Sequence, residues 1–228
     1  MTGAALKSVR LSARWTQQQA ARRLGLTQAY LSMVERGRRP VSSGLAVEAR
    51  GVFHLPPTVL PLEPPGARAW TEDEFKSQLG ALGYPGFGYL RRKPRCNPAQ
   101  LLFEALDQAD LDARVVEALP WLASTFAEMD WDWLARNAKL SDRQNRLGFV
   151  VALAAELAQK AGKTAHAARL VHYRALLDRS RLAREDTLCH ESMTQAERRW
   201  LRKNRPAQAR RWHLLTDLEV RHLAYAPA

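Results

Sequence analysis

The chain has 228 residues and a formal net charge of +12, with 46% hydrophobic and 25% charged residues. These values are typical of a soluble globular protein, and the length allows one or two domains of roughly 100–150 residues. The longest apolar run, Gly148–Ala155, is far shorter than the roughly 20 residues of a membrane span, and residues 1–10 lack the apolar segment of an export signal. The sequence therefore predicts a cytoplasmic protein that does not contact a membrane.

The positive charge is concentrated in separate parts of the chain. Residues 1–66 hold nine basic and three acidic side chains, and residues 198–222 hold eight basic and two acidic ones, with a smaller basic cluster at Arg91–Arg95. Residues 104–132 instead hold eight acidic side chains against the single Arg114. This separation favours a polyanionic partner for the basic regions and a different partner for the acidic one, although a solvated basic surface would give the same charge.

Residues 1–60 predict four short helices. A capping box, in which Thr16 precedes Gln19 by three residues, begins the second helix, and Gly25 ends it because glycine readily adopts a positive φ. Thr27 caps the third helix. The expected extents in chain order are Leu6–Trp15, Thr16–Gly25, Thr27–Arg36 and Ser42–Phe53.

The rest of the chain predicts a linker and a helical bundle. Residues 61–97 are rich in proline and glycine, with one short helix opened by Thr71, and their apolar side chains should lie against the second domain. Residues 98–228 have helical periodicity and lack alternating strand patterns; Ser141 should cap one helix and Thr194 another. We therefore expect an all-α protein with a four- to five-helix domain at 1–60, a linker at 61–97 and a dimerisation or partner-binding bundle at 98–228.

Residues 16–40 have the features of a helix pair that enters the major groove of DNA. Ala20 and Ala21 permit close helix crossing, Gly25 provides the turn, and Leu24 and Leu31 fill a core, so the third helix would be held rigidly. The segment 4–60 resembles the helix-turn-helix domain of Xre/Cro-type transcriptional regulators. The residues that carry the resemblance are Leu6, Arg10, Thr16, Gln17, Ala21, Leu24–Thr27, Leu31, Ser32 and Glu35–Pro40.

The resemblance implies a lambda-repressor-like fold, double-stranded DNA as partner, and specific roles for several residues. Arg10 would form an ion pair with Glu35, and the front of the third helix would read the bases, since Gln28 can bond adenine and Ala29 can contact a thymine methyl group. The expected base contacts are Gln28, Ala29, Tyr30 and Met33. The expected phosphate contacts are Gln17, Thr27, Arg36, Arg38 and Arg39. The alternative is a helical hairpin that only packs or binds protein.

A group of aromatic and basic side chains is the most distinctive feature of the second half. Trp131 and Trp133 are two positions apart and cannot share a helical face, so one should enter the core and the other cover a neighbouring helix or a partner. Arg143 and Arg146 suit either a buried hydrogen-bond network or an interface. We take these four residues as candidates for a partner interface.

Catalysis has weak support in the sequence, and we expect no enzyme, no metal and no cofactor. Cys189 and His190 are adjacent, but a metal site there would need His166 or His172, and no His-Glu-x-x-His or Cys-x-x-Cys pair exists. Cys96 and Cys189 lie 93 positions apart and form no disulfide framework, as in a reducing compartment. An enzyme centred on the Cys189 region is the alternative from a different class.

The predicted function is sequence-specific regulation of transcription. A single helix-turn-helix covers about half a turn of DNA, so we expect a homodimer, and the second half must pair chains, sense a signal or hold a partner. That half looks like bacterial regulators encoded beside a toxin gene, which implies an antitoxin that represses its own operon and whose acidic region holds the toxin. An ordinary repressor or activator and a ligand- or peptide-sensing regulator are the alternatives.

Overall fold

A computed structural model describes residues 1–90 and 94–223. Three members of the basic cluster, Arg91, Arg92 and Lys93, lie outside the described residues. The chain divides into two compact units, of which the first consists of Met1–Leu62 with Pro94–Asn97 and the second of the remaining residues. Within the described ranges, no helix is both long and apolar enough to cross a bilayer.

The first unit contains the four helices that the sequence predicted. Threonine or serine side chains cap each of them, at Thr2, Thr16, Thr27 and Ser42, so that a hydroxyl accepts an otherwise unpaired backbone N–H. A short 3-10 helix at Pro57–Val59 follows. The helices are α1 (Gly3–Ser12), α2 (Gln17–Arg23), α3 (Gln28–Glu35) and α4 (Ser43–Val52).

The core of the first unit is made of side chains that point inward from all four helices. Leu6, Leu31 and Val34 are fully buried. The first helix lies so close to the end of the third that a Cβ atom at Gly3 would be 1.9 Å from the carbonyl oxygen of Val34, which only glycine avoids. The four helices therefore form a rigid support.

The second unit is mostly helical, as predicted. Its longest helix, Gln144–Lys160, packs against five of the other helices of the unit: Pro98–Asp107, Ala113–Thr125, Trp131–Leu140, Thr164–Asp178 and Ala207–Arg211. A 3-10 helix at Pro85–Leu90 follows the first helix of the unit, and another at Val220–His222 lies near the end. The α-helices are α5 (Glu72–Ala81), α6 (Pro98–Asp107), α7 (Ala113–Thr125), α8 (Trp131–Leu140), α9 (Gln144–Lys160), α10 (Thr164–Asp178), α11 (Gln195–Asn204) and α12 (Ala207–Arg211).

Residues 63–90, most of the stretch predicted as a linker, belong to the second unit. The Thr71 capping box opens α5 as the sequence indicated. Phe75 and Phe87 are buried, and the ring of Tyr84 packs edge-on against Trp121 of α7 with centroids 5.2 Å apart. Burial of these rings holds the segment in the unit, so its proline and glycine residues mark turns and not a flexible connection.

Two details of the second half differ from the prediction. A short parallel pair of strands, β1 (Asp186–Thr187) and β2 (Leu214–Leu215), interrupts the predicted run of helices. The sequence could not indicate it, since two residues are too few for an alternating pattern. Ser141 does not cap α9 but closes α8, and α9 begins two residues later than a cap at Ser141 would place it, after Arg143.

Candidate nucleic-acid interface

The turn between α2 and α3 is built as the sequence predicted. Gly25 has a φ of +66°, the left-handed conformation that ends α2 without strain. The N–H of Leu26 then donates to the carbonyl of Ala21 at 2.8 Å. Thr27 caps α3 through a hydrogen bond from the N–H of Tyr30 to its hydroxyl. The two helices are thus joined by a short, fully bonded turn that fixes the start of α3.

A buried ion pair joins the first helix to the end of α3. Arg10 donates from Nε to Oε1 of Glu35 at 2.6 Å and from Nη2 to Oε2 at 2.9 Å, and both residues are only 6% exposed. A third donor, Nη1, reaches the carbonyl of Trp15 at 2.8 Å. Burial opposes ionisation of Glu35, but hydrogen bonds from Arg10 and Gln17 outweigh it and hold the pKa of Glu35 below its ordinary value. The structure therefore contains the Arg10–Glu35 pair that the resemblance implied.

A chain of hydrogen bonds leads from this ion pair to the surface. Gln17 donates from Nε2 to Oε2 of Glu35 at 2.8 Å, and its Oε1 accepts from Nε2 of Gln28 at 2.8 Å. The amide of Gln17 therefore has its orientation fixed from both sides, and it in turn orients the amide of Gln28. The sequence predicts only a phosphate contact for Gln17 and does not indicate this link, because residues 11 positions apart on different helices have no shared pattern.

The front of α3 is accessible at the positions predicted to read bases. Gln28 and Ala29 are exposed, whereas Tyr30 and Met33 are half-buried. The ring of Tyr30 packs against the apolar core of the first unit, so this side chain has a structural role as well. Gln28 and Ala29 thus form the exposed part of the predicted reading surface, and the other two lie at its edge.

The basic turn after α3 carries the predicted phosphate contacts. Arg36, Arg38 and Arg39 are exposed, and none of their side chains has a hydrogen-bond or ion-pair partner in the described part of the chain. The hydroxyl of Thr27 is exposed too, but it already accepts the N–H of Tyr30. Three unneutralised guanidinium groups beside the exposed front of α3 can hold the phosphates on either side of a groove.

In the second basic region, residues 198–222, fewer side chains are free to bind a polyanion than the charge suggests. Arg202 binds Glu185 at 2.7 Å, and Arg211 binds Asp178 at 2.8 Å. Arg198 and Arg210 donate to backbone carbonyls only, and among the described side chains of this region Arg199 and Lys203 have no partner of either kind. Much of this charge therefore stabilises the second unit itself.

Two of the four candidates for a partner interface are interior residues. Trp131 is 2% exposed, donates from Nε1 to the carbonyl of Ala127, and stacks on Tyr173. Arg146 is 0% exposed and holds Asp186 through two hydrogen bonds of 2.9 Å. Their assignment to an interface is corrected, because each is satisfied within its own unit. Trp131 lies in the core and Arg146 in a buried hydrogen-bond network, which are the alternatives that the sequence also allowed.

The remaining two candidates are half-buried. Trp133 packs edge-on against Phe103, and Arg143 binds Asp107 at 3.0 Å. Trp131 and Trp133 point to different sides of α8, as their spacing required.

The acidic region does not form a free anionic surface. Of its eight acidic residues only Glu117 has no hydrogen-bond or ion-pair partner among the described residues. Glu104 is buried against Gln100, and burial raises its pKa. The others are engaged as follows: Asp107 with Arg143, Asp110 with Ser192, Asp112 with Lys76, Glu128 with Arg169, Asp130 with the N–H of Trp133, and Asp132 with Tyr173.

The surroundings of Cys189 do not favour nucleophilic chemistry. Cys189 is 1% exposed, and burial raises the pKa of its thiol to about 11, so the group is protonated at neutral pH. His190 beside it is exposed. His166 and His172 lie on α10, and the described residues contain no group of three His, Cys, Asp or Glu side chains placed to hold a metal ion.

Comparison with known proteins agrees with this geometry for the first unit. Residues 6–60 match the family model described as helix-turn-helix. No curated protein and no solved structure has a significant match to the chain. The match covers most of α1, all of α2, α3 and α4, and both residues of the ion pair, and it supports a DNA-binding transcriptional regulator.

Proposed function

We propose that this chain, whose residues 6–60 form a helix-turn-helix domain, is a sequence-specific regulator that binds the DNA upstream of its own gene and represses its own operon. The observation that carries the proposal is the exposed front of α3, where Gln28 and Ala29 stand on a rigid support. The hydrogen bond that Gln28 donates to Gln17 orients the Gln28 amide in advance, so that less conformational entropy is lost when it binds a base edge.

The proposal includes a homodimer. One recognition helix contacts only a few base pairs, and paired half-sites with centres about 10 base pairs apart are the usual way to reach specific binding. The second unit would supply the pairing surface. An operator with two inverted half-sites at this spacing is the expected target.

Gln28→Ala should weaken the complex with the operator by about 1–3 kcal/mol, because one bidentate contact to a base is lost. The fold should be retained, since Gln28 is exposed and Gln17 keeps its bond to Glu35. Titration of labelled operator DNA and of a shuffled sequence of equal length measures the change. Gln159→Ala, an exposed glutamine of the second unit, is the control. Equal loss on both DNA sequences would contradict base reading by Gln28.

Arg38→Ala should weaken binding to all DNA sequences alike, because its guanidinium would contact phosphate and not a base. The slope of log K against log salt should become shallower by about 1. Affinity measured at several salt concentrations gives this slope. Arg184→Ala removes the same charge from the second unit and should leave the slope unchanged; an unaltered slope for Arg38→Ala would remove this residue from the interface.

An antitoxin role remains a narrower proposal. The acidic side chains that could have attracted a basic toxin are mostly bound within the second unit, so charge gives this role little support. What favours a protein partner is the exposure of Leu140 and Trp200, which are 78% and 55% exposed. The test is expression of the neighbouring gene alone and with this chain. A neighbour that is harmless alone would contradict the role without affecting DNA binding.

A further inference from the structure

A cavity of about 350 Å³ lies within the second unit. Four segments form its wall: the first turns of α7, residues 188–193, α11, and the chain after β2. The segment before α7 is fixed to the wall, since the N–H of Leu111 donates to the carbonyl of Cys189 at 3.0 Å. The volume falls at the lower end of the roughly 300–1,000 Å³ that is usual for small-molecule sites.

The wall of the cavity is mainly apolar. Met193, Leu201 and Leu215 pack together as one buried cluster, and Leu188 and Leu218 extend it. Such a wall favours a ligand with an apolar body, because contact with it removes hydrocarbon surface from water.

The ionisable side chains of the cavity wall are two carboxylates, the imidazole of His190 and the buried thiol of Cys189. Glu117 and Asp217 both line it, and neither carboxylate has a hydrogen-bond or ion-pair partner among the described residues. Glu117 is half-buried and shares one face of α7 with Ala113 and Val116, which also line the cavity. None of the described lining residues is a lysine or an arginine, although the chain has 35 of them.

We infer that this cavity binds a small organic cation, an ammonium group carried on an apolar body. The hydrocarbon part would contact the leucine and methionine wall, and the ammonium would lie beside Glu117 and Asp217. The half-buried carboxylate of Glu117 gains most from such a cation, because that pair is only partly screened by water, whereas Asp217 is exposed and contributes less. The role of the cation as the signal of a transcriptional regulator rests on the proposed function. The binding of the cation to the cavity does not.

Three probes of equal carbon skeleton test the inference on the full chain: phenylbutylammonium, phenylbutanol and phenylbutyrate. Calorimetry without DNA should give binding in the order ammonium, alcohol, carboxylate, with the ammonium at least about threefold tighter than the alcohol, as one or two partly exposed ion pairs would provide. Glu117→Gln should remove most of this advantage and Asp217→Asn a smaller part of it, and both should leave binding of the alcohol unaffected. Glu156→Gln, an exposed glutamate of α9 outside the cavity, should change nothing.

Met193→Trp should fill the cavity and abolish binding of both the ammonium and the alcohol. Equal affinity for the ammonium and the alcohol, tighter binding of the carboxylate, or an ammonium affinity that survives both Glu117→Gln and Met193→Trp would overturn the inference. Because no DNA is present, failure here leaves the proposed function standing, and loss of operator binding leaves this inference standing.

Discussion

Glu35→Ala is expected to destabilise the first unit by about 3–5 kcal/mol, because it leaves the guanidinium of Arg10 buried without its carboxylate. The bidentate pair is 6% exposed on both sides, so water cannot replace the lost partner without opening the core. Chemical denaturation, followed through the resonances of Leu6 and Leu31, measures the free energy of unfolding of this unit. Glu48→Ala, an exposed glutamate of α4, should change it by less than about 0.5 kcal/mol.

A double variant separates the structural role of this pair from its role in binding. Arg10→Met combined with Glu35→Leu replaces both charges with apolar side chains and should recover most of the stability. Operator affinity should nevertheless stay below that of the original chain, since Gln17 loses the carboxylate that fixes its amide. A loss below about 1 kcal/mol for Glu35→Ala would show that the pair is not a structural element of the unit.

Arg146→Met should destabilise the second unit by a similar amount, about 3–5 kcal/mol. Arg146 is fully buried and also donates to the carbonyls of Leu106 and Gln108 at 3.0 and 2.7 Å. It therefore joins the end of α6 to β1, and its removal leaves the carboxylate of Asp186 without its counter-ion, with only the N–H of Thr187 as a donor, and takes a donor from two carbonyls. Arg146→Lys should also destabilise the second unit, because an ammonium group cannot make the bidentate hydrogen bonds of a guanidinium group.

Arg143 provides a matched control for this prediction. It lies three residues earlier and binds Asp107, but its side chain is 21% exposed and that of Asp107 is 39% exposed. Arg143→Met should therefore cost at most about 1 kcal/mol. Calorimetric unfolding of the full chain compares the two variants. Equal losses of stability in the two variants would mean that burial does not determine how much each ion pair contributes.

Local signals explain why the first unit could be predicted closely from its sequence. Caps, the turn at Gly25 and the spacing of apolar side chains act over a few residues, and they placed α2, α3 and α4 within about two residues. The first helix was expected at Leu6–Trp15 but begins at Gly3, because its cap at Thr2 precedes the apolar pattern. The link from Gln17 to Gln28 was missed, since it depends on the packing of two helices.

The second unit was predicted less well, because its specific features depend on contacts distant in the chain. Arg146 meets Asp186 across 40 positions, and the strand pair β1–β2 has no local pattern. The run of acidic residues predicted a charged surface, but every carboxylate in it except that of Glu117 has its own partner within the described residues. Glu117 and Asp217 line one cavity although they are 100 positions apart, so no spacing rule could have joined them.

The most direct test of base reading by α3 is a competition titration at near-physiological salt. The full chain is bound to labelled DNA from upstream of its own gene and challenged with the same fragment or with a shuffled fragment of equal length and composition. Specific regulators typically favour their site by roughly a thousandfold or more. We predict a preference of about that size that Gln28→Ala sharply reduces. Equal competition by the two fragments would contradict the account.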